Sequence, residues 1–190
     1  VHGEGREPVG KSIQDKIPQK RKGRNTKMKE PVKLSNQVAL GALCAAAVTV
    51  LTMVSVPVPG YRLYFNLGEG AIYLAALLFG PRIGMAAGGL GAALGDLILG
   101  YPMWAPLSLV IKGLEGAVVG HMGRRLKPPV AIAAGAAVMI AGYTASAWVL
   151  YGPAAAPVEA VTDLVQSSVG ALGALVALGV LGRVLKDRAD

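Results

Sequence analysis

Residues 64–120 read YFNLGEGAIYLAALLFGPRIGMAAGGLGAALGDLILGYPMWAPLSLVIKGLEGAVVG. The segment is a series of apolar runs, 70–81, 83–95, 97–111 and 116–123, broken only by single charged residues. A helix needs ~20 mostly apolar residues to cross a bilayer core. Taken as spans that each tolerate an isolated charge, these runs predict helices near 68–80, 83–100 and 104–123. Outward from them lie longer stretches without Asp, Glu, Lys or Arg, at 34–61, 128–158 and 164–182. They add helices near 36–56, 130–150 and 160–183. The fold expected is an all-α integral membrane protein of six transmembrane helices, or five if the short 68–80 segment only dips into the membrane.

Composition supports that reading. The chain has 190 residues, 53% hydrophobic and 16% charged, with mean hydropathy +0.50, against ~25% charged residues in ordinary soluble domains. Ten of its nineteen basic residues fall in residues 1–33, so the net charge of +8 describes mainly that segment. Two parts are therefore expected: a basic, disordered tail over 1–33 and a membrane domain over 34–190. Met28 opens MKEPVKLSNQ, a natural start, so residues 1–27 read as leader or appended sequence. A basic run attracts phosphate, but this one has no aromatic residue to stack on bases and no periodic apolar face. No nucleic-acid partner is expected.

The basic residues also orient the helices, because Lys and Arg collect on the cytoplasmic side. With six spans and the N-terminus inside, the inner segments hold Lys29 and Lys33, Arg82, Arg124, Arg125 and Lys127, then Arg183, Lys186 and Arg188. The outer segments hold Arg62 alone. Both termini are then cytoplasmic, in a multi-pass protein of a prokaryotic plasma membrane. Tyr61, Tyr64, Phe65, Tyr101, Trp104, Trp148 and Tyr151, seven of ten aromatics, fall at the outer ends. An interfacial belt normally marks both faces; a one-sided collection suggests a lined pocket.

Small residues recur every four positions, at Gly84, Gly88 and Ala92 and at Ala42 and Ala46. That spacing lets helices approach closely in lipid. It serves either packing within the chain or docking onto another membrane subunit.

Charges inside spans are costly and mark functional candidates. Glu69 stands at the entry to the second helix and Asp96 about one turn inside the outer end of the third. Lys112 and Glu115 share one face of the fourth, and Asp163 and Gln166 lie in the outer turns of the sixth. Lys112 is expected to pair with Glu115 or Asp96, forming the floor of a polar pocket. The loop VPVPGYRLYFNLGEG, with Tyr64, Phe65 and Asn66, looks like its lid. No nucleophile, metal or phosphate-loop motif occurs, and Cys44, His2 and His121 stand without partners in sequence. Neither catalysis nor a cofactor nor a bound metal is expected.

Residues 64–120 resemble the substrate-binding S components of energy-coupling factor (ECF) vitamin transporters, nearest the riboflavin-type and uncharacterised group. The signals come in order: FNLGE, GPR, a glycine-rich helix ending in GD, then GYP and IKGLEG. The resemblance implies six helices and a vitamin-like ligand taken from outside. It also implies partners: a transmembrane coupling subunit with two ATPases. Ligand contacts would map onto Asn66, Glu69, Asp96, Trp104, Lys112 and Tyr143, and docking onto Ala42 and Ala46. The loop's own rings add Tyr64 and Phe65 to the candidate contacts, and the four-residue spacing makes Gly84 and Gly88 a second candidate docking face. A metal-binding His at the N-terminus, as in nickel or cobalt members, is not matched by the isolated His2. The rival reading is a self-sufficient secondary transporter relaying protons or ions through Asp96 and Lys112.

Overall fold

A computed structural model describes residues 34–57 and 64–187. The basic segment 1–33, including His2, Lys29 and Lys33, lies outside the described residues, as do Tyr61, Arg62 and Arg188. Six helices follow in order: α1 Leu34–Met53, α2 Gly68–Phe79, α3 Pro81–Leu99, α4 Ala105–Met122, α5 Pro128–Tyr151 and α6 Ala155–Asp187. α3, α4 and α5 each carry proline in the first turn, where the missing N–H costs nothing. Gly80, at φ +89°, turns the chain from α2 into α3 in a single residue.

Four of the six, α1, α3, α5 and α6, are long and apolar enough to cross a membrane. α2 has only 12 residues, and α4, with 18, carries Lys112 and Glu115. The chain is thus a multi-pass, essentially all-α membrane protein. Its outward side chains fit lipid rather than water: Leu43, Leu172 and Val149 are 68%, 67% and 84% exposed, and such apolar exteriors are foreign to soluble proteins.

The helices close a ring in the order α1, α3, α4, α5, α6, α2. α2 also packs on α3 and α4, so the shortest helix is the most enclosed. Ile72 and Tyr73 on it are almost wholly buried. Because neighbouring helices run in opposite senses, the start of α2, the end of α3, the start of α4, the end of α5 and the start of α6 meet at one end. Arg82, Arg124, Lys127 and Arg183 belong to the other.

Two expectations require correction. The first helix does not run to 56 and the fold is not wholly α: α1 ends at Met53, and β1 Ser55–Pro57 pairs antiparallel with β2 Tyr64–Asn66, Ser55 opposite Asn66 and Pro57 opposite Tyr64. In addition, Gly84 and Gly88 do not form an outer docking face. Both are buried against α4. A Cβ on Gly84 would come within 2.6 Å of the Gly116 carbonyl oxygen, and one on Gly88 would meet the Lys112 carbonyl. The glycines let α3 and α4 touch backbone to backbone within the chain. Ala42 and Ala46, by contrast, are exposed on α1.

Candidate functional site

The end of the ring where α2 and α6 begin encloses a cavity of about 330 Å³, its open mouth included. Each helix contributes from the half nearer that end. β2 supplies Tyr64 and Asn66, which the two-residue strand period puts on one face. α3 supplies Asp96 in its last turn, α4 Ser108 and Lys112, and α5 Tyr143. Trp104 adds its ring from just ahead of α4, and α6 brings Glu159, Asp163 and Gln166.

Six of the eight sequence-selected ligand residues therefore surround one space: Tyr64, Asn66, Asp96, Trp104, Lys112 and Tyr143. Phe65 does not line it, because the alternation that turns Tyr64 and Asn66 inward turns Phe65 away. Glu69 lies beneath the cavity, fully buried.

Glu69 is the hub of that floor. Lys112 Nζ forms an ion pair with Glu69 Oε1 and lies 3.6 Å from Glu115 Oε2. The expected alternatives for Lys112 were Glu115 and Asp96. Glu115 is a partner, whereas Asp96 instead accepts from the Tyr64 hydroxyl. The geometric reason is that α3 meets the main chain of Lys112 at Gly88, while the ammonium extends to the start of α2. Tyr73 donates to Glu115 Oε1 over 3.0 Å, so both carboxylates beside Lys112 have a second partner.

Gln166 fixes the loop to this floor. Its Nε2 donates to Glu69 Oε1 over 2.8 Å, and its Oε1 accepts from the Asn66 backbone N–H at 2.7 Å. Asn66 Oδ1 in turn accepts from the Gly68 N–H at 2.8 Å. Tyr64 thus holds β2 to α3, while Gln166 holds it to α6. Burial, and the Asp96 carboxylate beside it, push the Tyr64 hydroxyl well above its ordinary range, so it acts as a donor at neutral pH.

The upper walls are aromatic. Trp104 packs against Tyr143 with ring centroids 5.6 Å apart and against Tyr151 at 6.1 Å. Tyr64 and Tyr101 pack at 4.8 Å. Lys112 Nζ stands 5.2 Å from the Tyr143 ring centroid, inside cation–π range. The Tyr143 hydroxyl donates to Ser108 Oγ at 2.6 Å. Trp148, grouped with these rings by sequence position, points outward and is 61% exposed.

Glu159 and Ser108 were not among the sequence-selected site residues, and Asp163 and Gln166 were noted only as outer-turn polar residues. A signal for the first was available: Glu159, Asp163 and Gln166 stand at i, i+4 and i+7, one face of a helix. Predicting the helix to begin near 160 hid it, since α6 starts at Ala155.

The arrangement offers hydrogen bonds, charge and ring faces, with no assembly for bond-breaking chemistry. Among the described residues no group of three or more His, Cys, Asp and Glu could hold a metal ion.

Residues 33–183 match the family model described as ECF-type riboflavin transporter, S component. The chain is 46% identical over 150 residues to an "uncharacterized protein in gap 3'region" of Pyrococcus woesei, covering 75% of this chain and 96% of that one. It is 33% identical over 84 residues to a UPF0397 protein of Streptococcus pneumoniae serotype 19F (strain G54), covering 44% and 46%.

Proposed function

The chain belongs to the S-component family of ECF-type transporters, and from that premise we propose that it is the subunit that captures a vitamin or related small metabolite at the outer face. It is a transport subunit rather than an enzyme. Family membership implies association with a transmembrane coupling subunit and two ATPases.

The single observation that carries the reading is the cavity at the end of the ring remote from Arg82, Arg124 and Lys127. By the positive-inside tendency the basic end is cytoplasmic, which orients the cavity outward. All six helices then belong to the membrane domain, the short α2 enclosed by its neighbours and α4 part of the outer ring, with both termini inside. A sheltered short helix is tolerated at membrane depth where protein, not lipid, surrounds it. The residues proposed to contact ligand are Tyr64, Asn66, Asp96, Trp104, Lys112 and Tyr143, with Glu69 positioning Lys112 from below. Ala42 and Ala46 are the proposed docking residues, exposed on α1.

Of the cavity's space only about 30 Å³ is open to a water-sized molecule, far below the ~300–1,000 Å³ typical of ligand pockets. Entry of a vitamin-sized molecule therefore requires the β1–β2 hairpin to move, and the Tyr64–Asp96 and Gln166–Asn66 bonds are the contacts that must yield. Weighing against a self-sufficient carrier that relays through Asp96 and Lys112, the two are bonded to different residues, Tyr64 and Glu69.

Native mass spectrometry of the purified chain tests the proposal. A small molecule bound one to one, lost on substitution of Trp104 or Tyr143 by Ala, is the expected result. A chain that binds no small molecule, alone or with its partners, would contradict it.

A further inference from the structure

The buried charges around the cavity do not balance. Glu69, Asp96, Glu115, Glu159 and Asp163 are all buried, and Lys112 is the one buried cation among the described residues. Lys112 is already engaged by Glu69 and Glu115. That leaves Asp96, Glu159 and Asp163, the three carboxylates that line the cavity itself. Asp96 has the Tyr64 hydroxyl on Oδ1, its Oδ2 having no hydrogen-bond partner. Asp163, 4% exposed, has an Oδ2 with no hydrogen-bond partner. It stands one helical turn from Glu159, so two acids face the cavity side by side. An isolated buried carboxylate is expensive unless it is paired or takes up a proton, and two adjacent ones repel when both are ionised.

The surrounding surface identifies what would offset that charge. Trp104, Tyr143 and Tyr64 line the same space, and aromatic rings attract cations as well as flat apolar molecules. The carboxylates are not grouped to chelate a bare metal ion. We propose that the ligand is a small organic cation built on a flat ring, its positive group seated against Asp163 and Glu159 and its ring against Trp104 and Tyr143. This rests on the reading of the cavity as the substrate site and narrows it to one chemical class. A neutral ring system would leave both acids to be offset by protons alone, and an anion would add to the repulsion.

The test uses the full chain in lipid nanodiscs and four probes: thiamine and pyridoxamine as ring-bearing cations, riboflavin as an uncharged ring system, and pantothenate as an anion. Affinities are measured by calorimetry for the native chain and for Asp163→Asn, Glu159→Gln and Asp163→Glu. At least one cationic probe is expected to bind, with affinity lowered tenfold or more by Asp163→Asn and by Glu159→Gln and largely kept by Asp163→Glu. Thermal stability without ligand is expected to stay level or rise in the neutralised variants, because a repulsion is removed, which separates loss of binding from loss of fold. Failure of both cations to bind overturns the proposal, as does riboflavin binding that the neutralising changes leave intact or improve. Assembly with the coupling subunit and ATPases is followed separately: a chain that binds riboflavin and assembles sinks the charge inference alone, whereas one that neither binds any probe nor assembles sinks the transport reading as well.

Discussion

Lys112 on α4 and Glu69 at the first turn of α2 form an ion pair beneath the cavity, both almost fully buried. The pair ties the most enclosed helix to the one that carries the cavity floor. Breaking a buried pair from one side leaves the other charge uncompensated, at about 3–5 kcal/mol. Lys112→Met should therefore destabilise the protein severely, because both Glu69 and Glu115 lose their cation. Lys112→Met combined with Glu69→Gln should recover part of that loss, whereas Lys112→Met with Asp96→Asn should be close to additive. Thermal stability across both double-mutant cycles decides; coupling to Asp96 with none to Glu69 would contradict the geometry.

Gln166 offers a separate test of how the hairpin is held. Gln166→Leu removes a donor to Glu69, which keeps Lys112, and the acceptor for the Asn66 N–H, leaving that N–H buried without a partner at about 1–3 kcal/mol. Hydrogen exchange at residues 64–70 should accelerate, with exchange in α5 unchanged. Equal acceleration in both would mean that Gln166 supports the whole bundle rather than the hairpin.

The two small-residue pairs should behave differently. Gly84→Leu and Gly88→Leu drive side chains into the α4 backbone and should prevent folding, since overpacking already costs ~1–3 kcal/mol where neighbours can shift. Ala42→Leu with Ala46→Leu should leave insertion and ligand binding intact and weaken assembly with the coupling subunit. Size-exclusion profiles and co-purification separate these outcomes. Loss of ligand binding in the α1 variant would remove the distinction.

Deleting residues 1–27 should change neither insertion nor binding, because the segment has no apolar periodicity. Loss of ligand binding in a well-inserted truncation would assign it a role.

What the sequence revealed and what it hid follow from the physics of each signal. Apolar run length and isolated charges pointed to six helices and to Asp96 and Lys112, because the cost of charge in lipid makes each one conspicuous. Depth along a helix, however, does not say which neighbour a side chain reaches, so Lys112 was expected to pair with Asp96 as readily as with Glu115, and Glu69 was not considered. The Gly84–Gly88 spacing announced close approach but not whether the partner was α4 or another protein. The hairpin was illegible: strands of three residues, one ending in Pro57, carry no usable alternation. Glu159 was lost to a helix start placed five residues late.

ATP-dependent uptake by the chain reconstituted in liposomes with a coupling subunit and two ATPases is the most direct measurement of the central claim. The account predicts accumulation of a vitamin-class solute that requires ATP and every partner, and that falls sharply when Trp104 or Tyr143 is replaced by Ala. Uptake by the chain alone, driven by a proton gradient and indifferent to ATP, would contradict it.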